Sequence, residues 1–212
     1  MRNRWIGFIV AAVALAAAIW AYPQLPARVA THWNFRGEPD GYSGRFAGAF
    51  VFPLVILGLA GLAQVLPKID PRGKNYAKFD GTYWLLINGV LICAGVMYLA
   101  VIGNAIGAPV PIRRVMPAAL GFLFIVVGNY LSRVQPNWFV GIRTPWTLSS
   151  DTVWRKTHRL GGWVFVIAGV LFVASAFVPS LTAGIPLAVI IVGLAVTPVL
   201  YSLYLWMRER SS

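Results

Sequence analysis

The chain has 212 residues, of which 58% are hydrophobic and 11% are charged, and its formal net charge is +12. Soluble domains carry about 25% charged residues, so this composition excludes a water-soluble globular protein. The basic residues lie beside apolar segments, a pattern that favours contact with anionic membrane lipids and argues against direct binding of nucleic acid.

Apolar segments long enough to cross a membrane recur along the whole chain. A bilayer core about 30 Å thick requires roughly 20 apolar residues per helix. The first segment follows Arg2 and Arg4 as a signal peptide would, but its apolar run is longer than usual, so we predict a retained helix. The sequence predicts an all-α, polytopic membrane helical bundle of about six transmembrane helices, at residues 5–22, 46–66, 83–103, 115–131, 161–179 and 184–207.

Lysine and arginine are divided unevenly between the segments that connect these helices. With the N-terminus inside, the inner segments hold thirteen of the 18 basic residues. The positive-inside rule therefore predicts that both termini are cytoplasmic. We expect two regions of three helices each, residues 1–110 and 111–212. Their orientations in the membrane would be opposite, but their loop lengths differ and an internal repeat is not favoured.

The first long connection, residues 23–45, is predicted to form an ordered turn on the outer side. Prolines fix the backbone after the first helix, and Asp40-Gly41 is a common turn dipeptide. Polar and aromatic side chains are concentrated here, so we expect a binding surface. Its candidate residues are His32, Trp33, Asn34, Gly37, Glu38 and Asp40.

Two interpretations of this polar cluster remain open. His32, Glu38 and Asp40 could bind a divalent metal, because imidazole and carboxylate are ordinary zinc ligands. The spacing matches no zinc motif and supplies one histidine, so His32 is a weak candidate and we expect no cofactor. We favour hydrogen bonds from His32 and Asn34 across the turn, with Arg36 or Arg45 paired to Glu38 or Asp40.

The second long connection, residues 132–160, is predicted to be cytoplasmic and to end in a helix. Pro145 disfavours helical geometry at Thr144, so the chain should be extended there. Ser149 or Ser150 can cap a new helix. That helix would carry Trp154 and His158 on one face, four residues apart, and continue into the fifth span.

This connection resembles the signature of the SdpI family of bacterial membrane proteins. The similarity lies in Gly-Ile-Arg-Thr-Pro-Trp-Thr-Leu at 141–148, followed by Trp154 and Thr157-His158, and covers roughly residues 115–178. The first connection, with His32-Trp33-Asn34, is similar to a domain of unknown function that commonly precedes the signature. The resemblance implies a multi-pass protein of the bacterial inner membrane. The best-known member protects a cell from its own secreted toxic peptide and holds a transcriptional repressor at the membrane.

The cytoplasmic connection holds the second set of candidate binding residues. The guanidinium of Arg143 offers five donors in a plane, which suits a lipid phosphate or a partner's carboxylate. Alternatively, Arg143 ties the loop to carbonyls at a helix C-terminus and the tryptophans anchor it at the membrane surface. The candidates are Asn137, Gly141, Arg143, Thr144, Pro145, Trp146, Trp154, Thr157 and His158.

Few polar residues lie inside the predicted spans. Asn88 and Asn129 are expected to form hydrogen bonds between helices. The spans contain no Asp, Glu, Lys, Arg or His, and Cys93 is the lone cysteine. Ion-coupled transporters commonly place charges at the bilayer midplane, so this composition argues against that class.

These observations favour a non-enzymatic immunity and signalling protein. The resemblance implies protection against a membrane-active antimicrobial peptide on the outer side, and a transcriptional repressor as cytoplasmic partner. His32 and His158 are predicted on opposite sides of the membrane, so they cannot form one catalytic site. The alternative is a small transporter or flippase for a lipid or peptide.

Overall fold

The structure is a computed structural model that describes residues 4–34, 37–178 and 185–210. Six of the helices in this described part are long and apolar enough to span a membrane, which confirms the predicted polytopic bundle. The elements are α1 (Ile6–Ala21), β1 (Arg28–Trp33), β2 (Pro39–Gly44), α2 (Arg45–Ile69), α3 (Tyr76–Ala105), α4 (Ile112–Leu131), α5 (Pro145–Ser149), α6 (Asp151–Ser175) and α7 (Ile185–Arg210).

Two of the spanning helices begin earlier than the hydropathy pattern predicts. Helix α3 starts at Tyr76 and carries a kink at Phe79, where φ is −137° and ψ is 22°. Helix α6 starts at Asp151, because the Ser150 hydroxyl accepts a hydrogen bond from the Val153 amide at 3.2 Å and caps the helix. Both extensions contain charged residues, which end an apolar window without ending a helix. The predicted bounds 179 and 184 lie outside the described residues.

The long helices form two groups that meet along α3 and α4. Helices α1, α2 and α3 pack on one another, whereas α6 packs on both α4 and α7. The α3–α4 contact joins the groups. In the described residues α2 and α4 both contact α3 but do not contact each other, which leaves a groove between them.

Small residues and tyrosine hydroxyls hold the first group together. Helix α1 buries a stripe of alanines spaced three or four residues apart, and small residues let helix backbones approach closely in a membrane. The hydroxyls of Tyr83 and Tyr98 on α3 donate to the carbonyls of Ala63 and Ala49 on α2, at 2.6 and 2.7 Å. The buried alanines of α1 are Ala11, Ala14, Ala18 and Ala21.

The connection between α1 and α2 is an antiparallel β-hairpin, which the sequence predicted only as an ordered turn. Ala30 pairs with Tyr42 and Trp33 with Pro39, and the register is irregular around His32. Gly37, at a φ of 77°, supplies the left-handed conformation that the tip requires. Buried Val29 fixes the hairpin to the first helix group. Glycine, proline and polar residues outnumber the usual strand formers in β2, so the strand signal was weak.

Helices α4 and α6 are antiparallel and touch through their backbones at two glycine pairs. A Cβ atom added to Gly121 would lie 2.6 Å from the Gly169 carbonyl oxygen, and one added to Gly128 would lie 2.5 Å from that of Gly162. The reverse placements are equally close. A side chain at any of these four positions therefore requires the helices to separate.

The expectation of an interhelical bond at Asn129 is wrong. Its side chain is exposed, and Nδ2 donates to the Ile125 carbonyl of the same helix at 2.8 Å. An asparagine side chain in a helix can donate a hydrogen bond to a carbonyl of the preceding turn. Its presence in a membrane span therefore does not require a hydrogen-bond partner on another helix. Asn88, by contrast, is buried in α3.

We predict that Gly128→Ala lowers the free energy of unfolding by about 1–3 kcal/mol, the usual cost of overpacking. Its Cβ would meet backbone atoms of α6, which cannot move aside as a side chain would. Gly61→Ala is the matched control, because no atom lies within 4 Å of a Cβ at that position of α2. Unfolding in mixed detergent micelles, followed by circular dichroism, measures both. Equal stability of the two variants would contradict the close packing.

Candidate functional site

The loop between α4 and α6 is organised around the buried side chain of Asn137. Its Oδ1 accepts hydrogen bonds from the amides of Phe139 and Val140, at 2.9 and 2.7 Å. Its Nδ2 donates to the carbonyls of Gln135 and Val140, both at 2.9 Å. Both ends of the amide are used, so Asn137 shapes the loop and leaves nothing for a ligand.

A carboxylate that the sequence did not single out ties this loop to the first helix group. Asp70, at the end of α2, is 7% exposed. Its Oδ2 accepts from the Tyr76 hydroxyl and the Trp138 amide, both at 2.9 Å, and its Oδ1 accepts from the Arg72 amide at 2.7 Å. Hydrogen bonds to an ionised acceptor are stronger than neutral ones. Asp70 precedes a proline at a helix end, a pattern that indicates only a turn.

Two further side chains link the α2–α3 connection to the loop through hydrogen bonds. Arg72 donates from Nη1 to the Asp151 carboxylate and from Nη2 to the Leu148 carbonyl, each at 3.1 Å. Asn75 donates from Nδ2 to the Pro136 carbonyl at 2.8 Å. Neither residue was predicted, because charged and polar residues in a short connection normally indicate only a solvated surface.

His158 is fully buried, and its two ring nitrogens have different roles. Nε2 accepts a hydrogen bond from the Ile142 amide at 3.0 Å, so it carries no proton. Nδ1 lies 2.9 Å from the Trp154 carbonyl, to which it must therefore donate. The imidazole is accordingly neutral and protonated on Nδ1. As predicted, Trp154 and His158 share a face of α6, and their rings stack at 4.1 Å.

Gly141 brings the loop backbone against this histidine. Its φ is 114°, a conformation that side chains disfavour, and a Cβ there would overlap His158 Nε2. The indole of Trp154 fixes the other side of the loop by donating to the Val134 carbonyl at 2.8 Å. Thr157 is also fully buried, and its hydroxyl has no hydrogen-bond partner among the described residues.

Thr144 and Pro145 start the short helix α5, with the predicted extended geometry at Thr144 (φ −117°, ψ 162°). The Thr144 hydroxyl accepts from the Thr147 amide, and the Thr147 hydroxyl accepts from the Thr144 amide, at 3.1 and 2.9 Å. This reciprocal pair is a capping box. Thr144 Oγ1 also lies 3.1 Å from the Ser202 hydroxyl of α7, so the motif joins the loop to the last helix.

The exposed part of the motif is a small surface, here called the loop-end rim, formed by Trp138, Arg143 and Pro145. Arg143 donates from Nη1 to the Trp138 carbonyl at 2.8 Å, a carbonyl of the loop and not of a helix terminus. Trp146 is half-buried beside this surface. The predicted site residues therefore divide into a buried framework and an exposed rim.

At the opposite end of the bundle, called the hairpin end, the polar residues pair within the hairpin. His32 Nδ1 lies 2.5 Å from Asp40 Oδ1, and Asn34 Nδ2 donates to Glu38 Oε2 at 3.0 Å. Of the two predicted alternatives, Arg45 forms no ion pair with either carboxylate in the described part of the chain. Arg36 lies outside that part. Among described residues no group of three possible metal ligands converges.

The groove between α2 and α4 opens at the hairpin end as a cavity of about 770 Å³. Trp33, Asn34 and Gly37 of the hairpin lie at its mouth together with Arg113 of α4. Its walls come from α2, α3, α4, α6 and α7, in both halves of the chain. The sequence could not predict this cavity, because no local motif records which residues of five helices face one another.

Comparisons with known proteins support both parts of the predicted resemblance. Residues 133–202 match the model of the SdpI/YfhL protein family, and residues 9–57 match that of a domain of unknown function, DUF1648. The chain is 26% identical to the "Immunity protein SdpI" of Bacillus subtilis (strain 168) over 177 residues, which cover 84% of this chain and 83% of that protein. No solved structure matches significantly.

The matched regions coincide with the two structural features described above. The first contains the hairpin and the second contains the loop between α4 and α6. The second match extends through Ser202 and so includes the α7 residue that contacts Thr144. The resemblance predicted from the sequence covered residues 115–178, so the match begins and ends later than predicted. The resemblance to SdpI-type immunity proteins is confirmed, and the chain is a multi-pass membrane protein.

We predict that Gly141→Ala destabilises the protein more than Gly107→Ala does. Both glycines have positive φ, so each substitution carries the backbone cost of about 1–2 kcal/mol. Only Gly141 also faces a buried side chain, because no atom lies within 4 Å of a Cβ at Gly107.

Thermal unfolding midpoints in detergent measure the difference. The double variant Gly141→Ala/His158→Ala should lose less stability than the sum of the two single losses, since contacting residues are coupled. Additive effects of the two substitutions would contradict the contact.

Proposed function

We propose that this protein, which resembles SdpI-type immunity proteins along most of its length, protects a bacterial cell from a membrane-active antimicrobial peptide. It does so without catalysis, from the inner membrane, with its termini and the loop between α4 and α6 in the cytoplasm. The hairpin end then faces outwards and meets the peptide. The name of the relative, an immunity protein, supports protection as the class of activity. It does not identify the peptide that this chain would recognise.

The observation that carries this proposal is the anchored hairpin. Leu25 and Val29 are buried in the first helix group, so the hairpin is held in place. Its other face is exposed and amphipathic, with His32 and Asp40 paired and Tyr42 half exposed. Rigid aromatic and polar groups at a membrane surface suit recognition of an amphipathic peptide, because little side-chain entropy is lost on binding.

The loop-end rim is the proposed contact for a cytoplasmic transcriptional repressor. Exposed Arg143 and the basic side chains of Arg155, Lys156 and Arg159 on the first turns of α6 favour a partner with an acidic surface. Asp70 and Arg72 connect this loop to α2, which begins directly after the hairpin. A peptide at one end can therefore influence the rim through a helix that contacts both sites.

An enzyme is disfavoured by the separation of the groups that could act in catalysis. His32 lies in the hairpin and His158 lies at the start of α6, at opposite ends of the bundle. Both nitrogens of His158 are engaged by backbone groups, which leaves it unable to accept a substrate proton. A second candidate function, a small lipid or peptide transporter, is favoured by the groove, and lipid scrambling by the reconstituted protein would support it.

We predict that Tyr42→Ala and the double substitution His32→Ala/Asp40→Ala abolish protection at unchanged membrane abundance. Both remove exposed groups that the proposal assigns to the peptide, and neither empties the core. The measurement is growth of a deletion strain carrying each variant under challenge with individual purified membrane-active peptides. Arg45→Ala is the control for loss of charge at this end, because Arg45 is exposed where α2 begins after the hairpin. Full protection by both hairpin variants would contradict the proposed surface.

We predict the converse for Arg143→Ala at the loop-end rim. This variant should still protect the cell but should lose the transcriptional response to the peptide, because it lacks the proposed partner contact. RNA sequencing after peptide challenge measures the response. Arg133→Ala is the matched control, since Arg133 is also exposed at this end but packs on the Tyr130 ring. An unchanged response in Arg143→Ala would remove the rim from the signalling proposal.

A further inference from the structure

The groove is elongated and follows α4 from Ile112 to Phe124, a length of about 18 Å at the helical rise of ~1.5 Å per residue. Its volume is about 770 Å³.

The apolar walls of the groove exclude an extended peptide. Below the mouth the groove is lined by apolar side chains, including Val51, Met97, Leu120 and Phe172. Tyr98 also lines the groove, and its hydroxyl donates to the Ala49 carbonyl. An extended peptide here would leave its backbone amides and carbonyls without partners, which hydrocarbon surroundings do not tolerate. A hydrocarbon chain has no such groups, and methionines adapt well to its shape.

The mouth of the groove, in contrast to its apolar walls, is polar. Thr31, His32 and Asn34 of the hairpin line it, and their side chains bond to Ser43, Asp40 and Glu38. Arg113 of α4 is the cation among the described residues of the lining. The described residues that line the groove include no aspartate or glutamate. An occupant with an anionic head and an apolar tail is therefore complementary to the site at both ends.

The groove is also accessible from within the bilayer. Val51 and Phe52 on α2 and Ile191 on α7 line it and are 43–53% exposed at the surface of the bundle. An acyl chain can enter sideways between α2 and α4 without leaving hydrocarbon. We propose that the groove binds an anionic phospholipid of the surrounding membrane, with an acyl chain between α2 and α4 and the phosphate at Arg113. This inference goes beyond the proposed function and does not depend on it.

Native mass spectrometry of the full chain, released from nanodiscs of equal phosphatidylglycerol and phosphatidylethanolamine, tests the proposal. The wild-type protein should retain one phospholipid, preferentially phosphatidylglycerol. Leu120→Trp fills the groove and should lower the retained fraction by about tenfold, as should Met116→Trp. Phe122→Trp is the matched control on α4, because Phe122 is 61% exposed and does not line the groove, and it should bind as the wild type does.

Arg113→Gln tests the contact with the lipid phosphate separately from the contact with the acyl chain. It should still retain lipid but lose the preference for phosphatidylglycerol over phosphatidylethanolamine. Circular dichroism and gel filtration establish that each variant is folded. Wild-type lipid retention by both tryptophan variants, or recovery of a peptide instead of a lipid from the groove, would overturn the proposal. An unchanged headgroup preference in Arg113→Gln would overturn the placement of the phosphate.

Discussion

The backbone contact between α4 and α6 is the constraint on which the rest of the structure depends. Where Gly121 faces Gly169 and Gly128 faces Gly162, the helices are so close that there is no room for a Cβ atom at any of the four positions. Such a contact fixes both the distance and the register of the pair. The loop that carries most of the predicted site leaves one of these helices at Leu131 and enters the other at Asp151. Its two ends are therefore held at a set separation, and Asn137 and His158 organise what lies between them.

Local signals in the sequence were sufficient for much of this architecture. Apolar runs predict the spans because every membrane helix needs a similar length. The predicted extended geometry at Thr144 and the predicted serine cap before α6 are both observed, the cap at Ser150, since both are properties of neighbouring residues. The short helix α5 was not predicted. The shared face of Trp154 and His158 follows from helical spacing alone. Within the predicted binding motif, Asn137, Thr144 and His158 are buried and bonded to backbone partners, whereas Arg143 is exposed.

The parts that could not be predicted depend on contacts between distant positions. Asp70 accepts the Trp138 amide across 68 residues, and Arg72 reaches Leu148 across 76. Nothing near Asp70 or Arg72 in the chain indicates a partner. The hairpin was missed as a sheet for a different reason, because its second strand has few strand formers and is held by the buried anchors of the first. The groove exists only because α2 and α4 share α3 as a neighbour without touching.

The hydrogen bonds that hold residues 138–140 have one further consequence. Trp138, Phe139 and Val140 are held through their main-chain amides, by Asp70 and by Asn137. At Trp138, whose side chain is 49% exposed, this tether does not depend on which side chain is present, with proline as the exception because it lacks an amide proton. Phe139 is half-buried and Val140 packs against the core, so their side chains are constrained as well. The chemistry of the loop-end rim can therefore change at Trp138 while the scaffold beneath it stays the same.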